Sequence, residues 1–301
     1  MSIRFLVFSD LHYDTVEDGD ERISKIIRKV KENQLDFCIS LGDFCEPVLE
    51  NKRLVNAFLQ TRVPMYYTIG NHETDRHYLD EILVFYDMKS PFYSFELENY
   101  KFIVLNTCFY SKDGVEEVFY ENNYKVKGCV YPVLPQEQLN WLREELDDHK
   151  KHIVFSHHSF SNEFAKRGVQ NRDTIQNMFS AKNVLLCMNG HDHGDAVIQK
   201  NGTTYYTVNS SSNVWIGSQI DSSETLKEKY GHLNGILTYK EPFAVIVEID
   251  DSKIKINGVE GEYQSVTPED IGLDNYQWNG VSILPKASSC EVNMKENGSF
   301  R

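Results

Sequence analysis

Five short stretches of this chain carry side chains that bind metal ions: Asp10-Leu11-His12, Gly42-Asp43, Gly70-Asn71-His72-Glu73, Ser156-His157-His158 and Gly190-His191-Asp192-His193. Their donors are carboxylate oxygens, imidazole nitrogens and an amide oxygen, with no thiolate at a suitable spacing. Such a set suits manganese, iron, zinc, cobalt or nickel and excludes a structural cysteine-based zinc site. In order, the candidate groups are Asp10 and His12, Asp43, Asn71 with His72, His157 with His158, and His191 with His193, and seven probable donors among them exceed what one tetrahedral site uses. Two ions sharing a bridging carboxylate is the economical arrangement, and ions about 3.5–4 Å apart suit in-line displacement at phosphorus. Asn71 and His72 suit different roles, because the amide oxygen can ligate while the neighbouring imidazole stays free to donate a proton.

Taken singly, each stretch has an ordinary explanation, because Asp, Asn and Gly are turn formers. What distinguishes them is that each follows an apolar run. Ile3–Phe8 reads as a buried strand, and in an extended continuation Asp10 and His12 point to one side. Residues 36–41 and 65–69 read likewise, ending in Asp43 and in the Asn71-His72 pair. Between them, Ile23, Ile26, Ile27 and Val30 recur at helical spacing behind the acids of 18–21, and Leu54, Val55, Phe58 and Leu59 mark a second helix. Strand, helix, strand, helix, strand is the pattern of parallel crossovers in an α/β protein, whose sites lie at the C-terminal strand ends.

Further along, 92–97 and 101–107 predict a hairpin around Glu98-Asn99-Tyr100. Pro135 opens a helix carrying Leu139, Leu142 and Leu146, and the strands 152–155 and 184–188 bracket a helix with Ile175, Met178 and Phe179. Strands are also expected at 203–209, 243–249 and 253–257. Residues 108–133 show no period but hold Tyr110, Phe119, Tyr120, Tyr124 and Tyr131, which fits a lid over the site or a packed loop. The expected organisation is one catalytic domain over 1–260, with 261–301 a C-terminal extension that wraps the surface or is partly disordered.

The chain has 301 residues and a net charge of −14, with no basic block able to track a phosphate backbone, so no nucleic-acid partner is expected. An anionic substrate requires a local positive charge such as bound metal. The cysteines show no C-x-x-C pair and read as free thiols. Without a signal sequence or a span of membrane length, a soluble cytoplasmic protein with no membrane partner is expected.

As a set, the five stretches resemble the motifs of the calcineurin-like metallophosphoesterase superfamily over residues 3 to about 209. The resemblance implies a four-layer αββα sandwich, two mixed β-sheets flanked by helices, classed as α/β (α+β). It implies two divalent or trivalent ions, one held by Asp10, His12, Asp43 and His193, the other by Asp43, Asn71, His157 and His191, with Asp43 bridging. A hydroxide between the ions would attack phosphorus in a small phosphomonoester or phosphodiester, and His72 would assist the leaving group; His158 either faces the substrate or serves as a turn residue, since an imidazole can do either. Ser159 departs from the family, many of whose members carry proline there. The alternative is a non-catalytic scaffold or binding protein with this fold; such scaffolds usually lose ligands, whereas here every motif position is filled. A nuclease of the same superfamily would call for a basic surface that this chain lacks.

Overall fold

The computed structural model describes residues 2–162, 167–216 and 235–293. Its first half follows the sequence pattern: β1 (Ile3–Phe8), α1 (Gly19–Glu32), β2 (Phe37–Ser40), α2 (Lys52–Leu59), β3 (Met65–Tyr67) and α3 (Leu79–Tyr86). After these come β4 (Tyr93–Leu97), β5 (Tyr100–Val104), β6 (Phe109–Lys112), β7 (Val115–Val118), β8 (Val130–Val133), α4 (Gln136–Glu145), β9 (Lys151–Ser156), α5 (Arg172–Ala181) and β10 (Val184–Asn189). β11 (Ala196–Lys200), β12 (Thr203–Thr207), β13 (Asn213–Trp215), β14 (Ile236–Thr238), β15 (Val245–Ile249) and β16 (Lys253–Asn257) follow.

Two six-stranded sheets form the middle of the molecule. In the first, β3, β2 and β1 run parallel, and β15, β16 and the strand Cys290–Asn293 add antiparallel neighbours. In the second, β5, β9, β10 and β12 are parallel, with β4 and β11 antiparallel at its edges.

Alternation along the strands explains the stacking, since successive side chains leave opposite faces. Leu6 and Phe8 of β1 pack with Ile23, Ile26, Leu54 and Phe58 of α1 and α2. Phe5 and Val7 face the other way, into a core shared with Phe102, Phe155 and Met188 of the second sheet. Ile103 and Val154 on the far side of that sheet meet Leu139, Leu142, Ile175 and Phe179 of α4 and α5. Helices, sheet, sheet, helices is the four-layer αββα arrangement.

The aperiodic segment 108–133 is corrected to a small three-stranded sheet, ordered β7, β6, β8, with a turn region between β7 and β8. Its strands are only four residues long, too short for a period to show. The tail after Gly261 does more than wrap the surface: the strand Cys290–Asn293 extends the first sheet, and Val281, Ile283, Ala287 and Val292 are buried. Residues 294–301 lie outside the described residues. All six cysteines are free thiols. Among the described residues, no helix is long and apolar enough to cross a membrane.

Candidate metal centre

β1, β2, β3, β9 and β10 end on one side of the stacked sheets, and the groups singled out in the sequence converge there. The strand ends fall short of the ligands: β1 stops at Phe8, and Asp10 and His12 have φ of 51° and 48°. Their common direction is therefore set by a left-handed turn, not by an extended continuation. Asp43, His191 and His193 have φ of 51°, 65° and 49°. Such backbone is costly for residues other than glycine and persists where the surroundings over-determine it, typically at functional sites. Gly70 has no room for a side chain: a Cβ there would stand 2.2 Å from Asp43 Oδ1.

Two sets of donors meet at the carboxylate of Asp43. On one side, Asp43 Oδ2 and Asn71 Oδ1 lie 3.3 and 3.2 Å from His157 Nε2, and His191 Nδ1 lies 3.2 Å from the same nitrogen. On the other, His193 Nε2 is 3.3 Å from Asp10 Oδ1 and 2.9 Å from His12 Nε2, which is itself 3.7 Å from Asp43 Oδ2. Ligand atoms about 2.1 Å from one ion stand about 3–3.5 Å apart, so these spacings fit cation sites. Lone pairs facing one another at such distances repel unless a proton or a cation lies between them. The residues present therefore fit a metal centre.

Partners behind the donors fix their aim. His157 Nδ1 donates to the Leu41 carbonyl at 2.8 Å and His193 Nδ1 to the Asn213 carbonyl at 2.7 Å, which turns each Nε2 toward the site. Asp10 Oδ2 accepts from Ser9 Oγ at 2.5 Å and the His191 amide at 2.9 Å. Asp43 Oδ1 accepts the His72 amide at 2.8 Å, leaving Oδ2 between the two donor sets. Buried Glu73 accepts the amides of Asp43, Phe44 and Gly70 at 2.8–2.9 Å and the Tyr86 hydroxyl at 3.1 Å, tying two of the strand ends together. Arg22 on α1, also buried, donates to the carbonyls of Ser211 and Tyr239. It thereby holds the loop whose Ser210 and Ser212 hydroxyls donate to the Asp10 carbonyl.

Electrostatics follow from this crowding. Burial alone would raise the Asp10 and Asp43 carboxyls, but the histidines outweigh it, His193 at Asp10 and His157 at Asp43, and hold both below the usual range. Burial takes His12 down to about 3 and His158 and His191 well below 6.5, so these rings are neutral. Burial also acts downward on His157, yet Asp43, Asp10 and the Leu41 carbonyl hold it at about 9. Burial and then Asp43 push Glu73 up to about 7.

His72 lies beside the donor groups: its ring centre is 4.9 Å from that of His12, and His12, Asp43 and His72 are close enough together to hold an ion. Its ring is half exposed, and Nδ1 pairs with Asp75 Oδ2 at 2.7 Å. Against the downward pull of burial, Asp43, Asp75 and Glu73 hold it at about 9. His158 is 2% exposed, with Nδ1 2.8 Å from Thr107 Oγ1. That hydroxyl also accepts the His158 amide at 3.1 Å, and the ring borders the cavity, where His157, His158 and His191 are close enough together to hold an ion. Asp75, Thr107 and Arg167 were not singled out in the sequence. Only the carboxylate three residues after His72 offered a signal. Arg167 reaches the site from the loop after β9, where Nη2 donates to the His191 carbonyl at 2.6 Å.

The family model for calcineurin-like phosphoesterases matches residues 3–195. The chain belongs to that family. At family level its centre is that of a metal-dependent phosphoesterase, and its His and Asp groups can hold metal. Two solved structures share the calcineurin-like fold over most of the chain. A dimetal phosphatase from Danio rerio is 15% identical, covering 87% of this chain and 96% of its own, with a TM-score of 0.60. GAP50, described as the anchor in the inner membrane complex of Plasmodium, is 13% identical, covering 99% and 90%, with a TM-score of 0.62. At such identities the likeness is one of fold. No curated protein matches the sequence.

Proposed function

We propose that the protein hydrolyses phosphomonoesters or phosphodiesters of small molecules with two metal ions. Asp10, His12, Asp43 and His193 would hold one, and Asp43, Asn71, His157 and His191 the other. The position of Asp43 Oδ2 between the two donor sets is the observation that carries this reading. When bound, the ions supply Lewis acidity, activating water and neutralising charge on the phosphoryl oxygens. The chain's own groups do the rest. His72, oriented by Asp75, would protonate the departing oxygen. His158, which borders the cavity, would face the substrate. Manganese, iron, zinc, cobalt and nickel all suit the donors. Six free thiols suit a reducing compartment, which supports a cytoplasmic location.

Metal analysis alongside turnover of p-nitrophenyl and bis-p-nitrophenyl phosphate, with and without chelator, tests this reading. Metal-dependent cleavage of either ester supports it, and the preferred ester sets the class. A protein that binds metal and cleaves neither is a scaffold, the reading that fold alone leaves open.

A further inference from the structure

Beside the donor groups the centre opens into a cavity of about 440 Å³, larger than a phosphoryl group needs. One wall is a chain of rings starting at the metal centre. His191 and His158 have ring centroids 4.2 Å apart, His158 meets Phe119 edge-on at 6.1 Å, Phe119 stacks on Tyr124 at 3.8 Å, and Tyr124 meets Tyr131 edge-on at 4.8 Å. Phe119 and Tyr124 are nearly buried and act as backing, whereas Tyr131 is only partly buried and Trp215 is 50% exposed. Both open onto the cavity. Trp215 is held in place at the end of β13: the strand pairs with β14, and Trp278 Nε1 donates to the Trp215 carbonyl at 2.9 Å.

Two cations, Lys125 and Arg167, line the cavity together with the carboxylates of Asp43 and Asp75. Lys125 stands 5.6 Å from the Tyr124 ring centre, and Arg167 is anchored on the His191 carbonyl. In a chain of net charge −14, positive groups gathered beside rings favour an anion that carries an apolar surface.

We infer that this cavity holds a specificity subsite for a flat aromatic ring on the ester oxygen of the substrate, lined by Tyr131 and Trp215. The inference rests on the phosphoesterase reading for the phosphorus end of the ligand. An aromatic ester would cover more of the cavity-facing surface of these two side chains than an alkyl ester does. The shared chemistry is a planar π-face, supplied by a simple aryl group or by a nucleobase.

The test is calorimetric binding of non-hydrolysable phosphonates to the manganese-loaded protein. Benzylphosphonate, whose methylene stands where the ester oxygen would, is expected to bind at least about tenfold tighter than ethylphosphonate, in the range of ring stacking on aromatic side chains. In Tyr131→Leu and in Trp215→Ala the preference should shrink to about threefold or less, with ethylphosphonate binding unchanged. Trp215→Ala, at a half-exposed position, guards against a folding failure of the other variant. Comparing a nucleoside phosphonate with its ribose counterpart separates the sources, and a gain in either the benzyl or the nucleoside pair supports the subsite. Equal binding within both pairs, or a preference untouched in both variants, overturns it. Ring preference without metal-dependent turnover would sink only the phosphoesterase reading; turnover with equal phosphonate binding would sink only the subsite.

Discussion

Asp75 Oδ2 lies 2.7 Å from His72 Nδ1, three residues away in the same turn, and the pair stands at the mouth of the metal centre. The carboxylate fixes which imidazole nitrogen is left for the cavity, as acidic partners of histidine do elsewhere.

His72→Ala should therefore retain metal and lose activity according to the leaving group. General acid assistance contributes about 10²–10⁴-fold, so loss on an alkyl ester should approach that range while a nitrophenyl ester, whose oxygen needs no proton, loses little. A leaving-group series on wild type and variant checks this, with a steeper dependence expected in the variant. Parallel lines would rule out the acid role.

Asp75→Asn should lower the His72 pKa from its value of about 9 in the metal-free protein, as read by NMR titration. Because the folded value lies above the ordinary 6.5, protonated His72 beside Asp43 and then Asp75 stabilises the fold fully below pH 6.5, and that contribution, of which Asp75 supplies a part, is lost as pH rises through about 9. The variant should show a flatter pH dependence of stability across that window. An unchanged His72 titration would remove Asp75 as its partner.

Asp43→Asn removes the group shared by both donor sets. Asn can still accept the His72 amide, so the chain should fold, but metal content should fall at both sites and turnover should drop by more than about 10²-fold. Elemental analysis after gel filtration decides: two ions retained with near-normal turnover would refute the bridge.

Metal uptake should release protons. His157 is held at about 9 in the metal-free protein, and its Nδ1 proton is committed to the Leu41 carbonyl, so an ion at Nε2 must displace the other proton. Below about pH 9, apparent affinity should rise about tenfold per pH unit at that site and flatten above it. Calorimetry in buffers of different ionisation enthalpy counts the protons, and zero released at neutral pH would contradict the assignment.

Glu73→Gln replaces an acceptor of four donors with a group bearing a single oxygen. Leaving buried N–H groups unpaired costs about 1–3 kcal/mol each, so the variant should lose at least about 2 kcal/mol in urea denaturation. A melt matching wild type would mean that the turns hold without it.

The strand and helix order, the amphipathic face of α1 and all five donor stretches were legible in the sequence, because each depends on neighbours within a few residues. Residue type also suggested different tasks for Asn71 and His72, an amide oxygen able to ligate beside an imidazole able to donate a proton. Other features arise only when the sheets stack. His12 and His193, 181 residues apart in the chain, are brought to 2.9 Å by strands of different sheets. The left-handed backbone at Asp10, Asp43 and His191 suits residue types that tolerate it, but hydrogen bonds from distant loops fix it at these positions. The four-residue strands of 109–133 left too short a pattern to read, and the segment's rings gained a direction only by packing against His158. Arg167 and Trp215 carry no periodic signal, so only tertiary packing could place them at the cavity. Sequence thus determined which chemistry the strand ends can carry, since donor type is a property of single residues. Tertiary structure decided which donors share a centre and what stands beside it, since those are distances between parts of the chain that local forces never bring together.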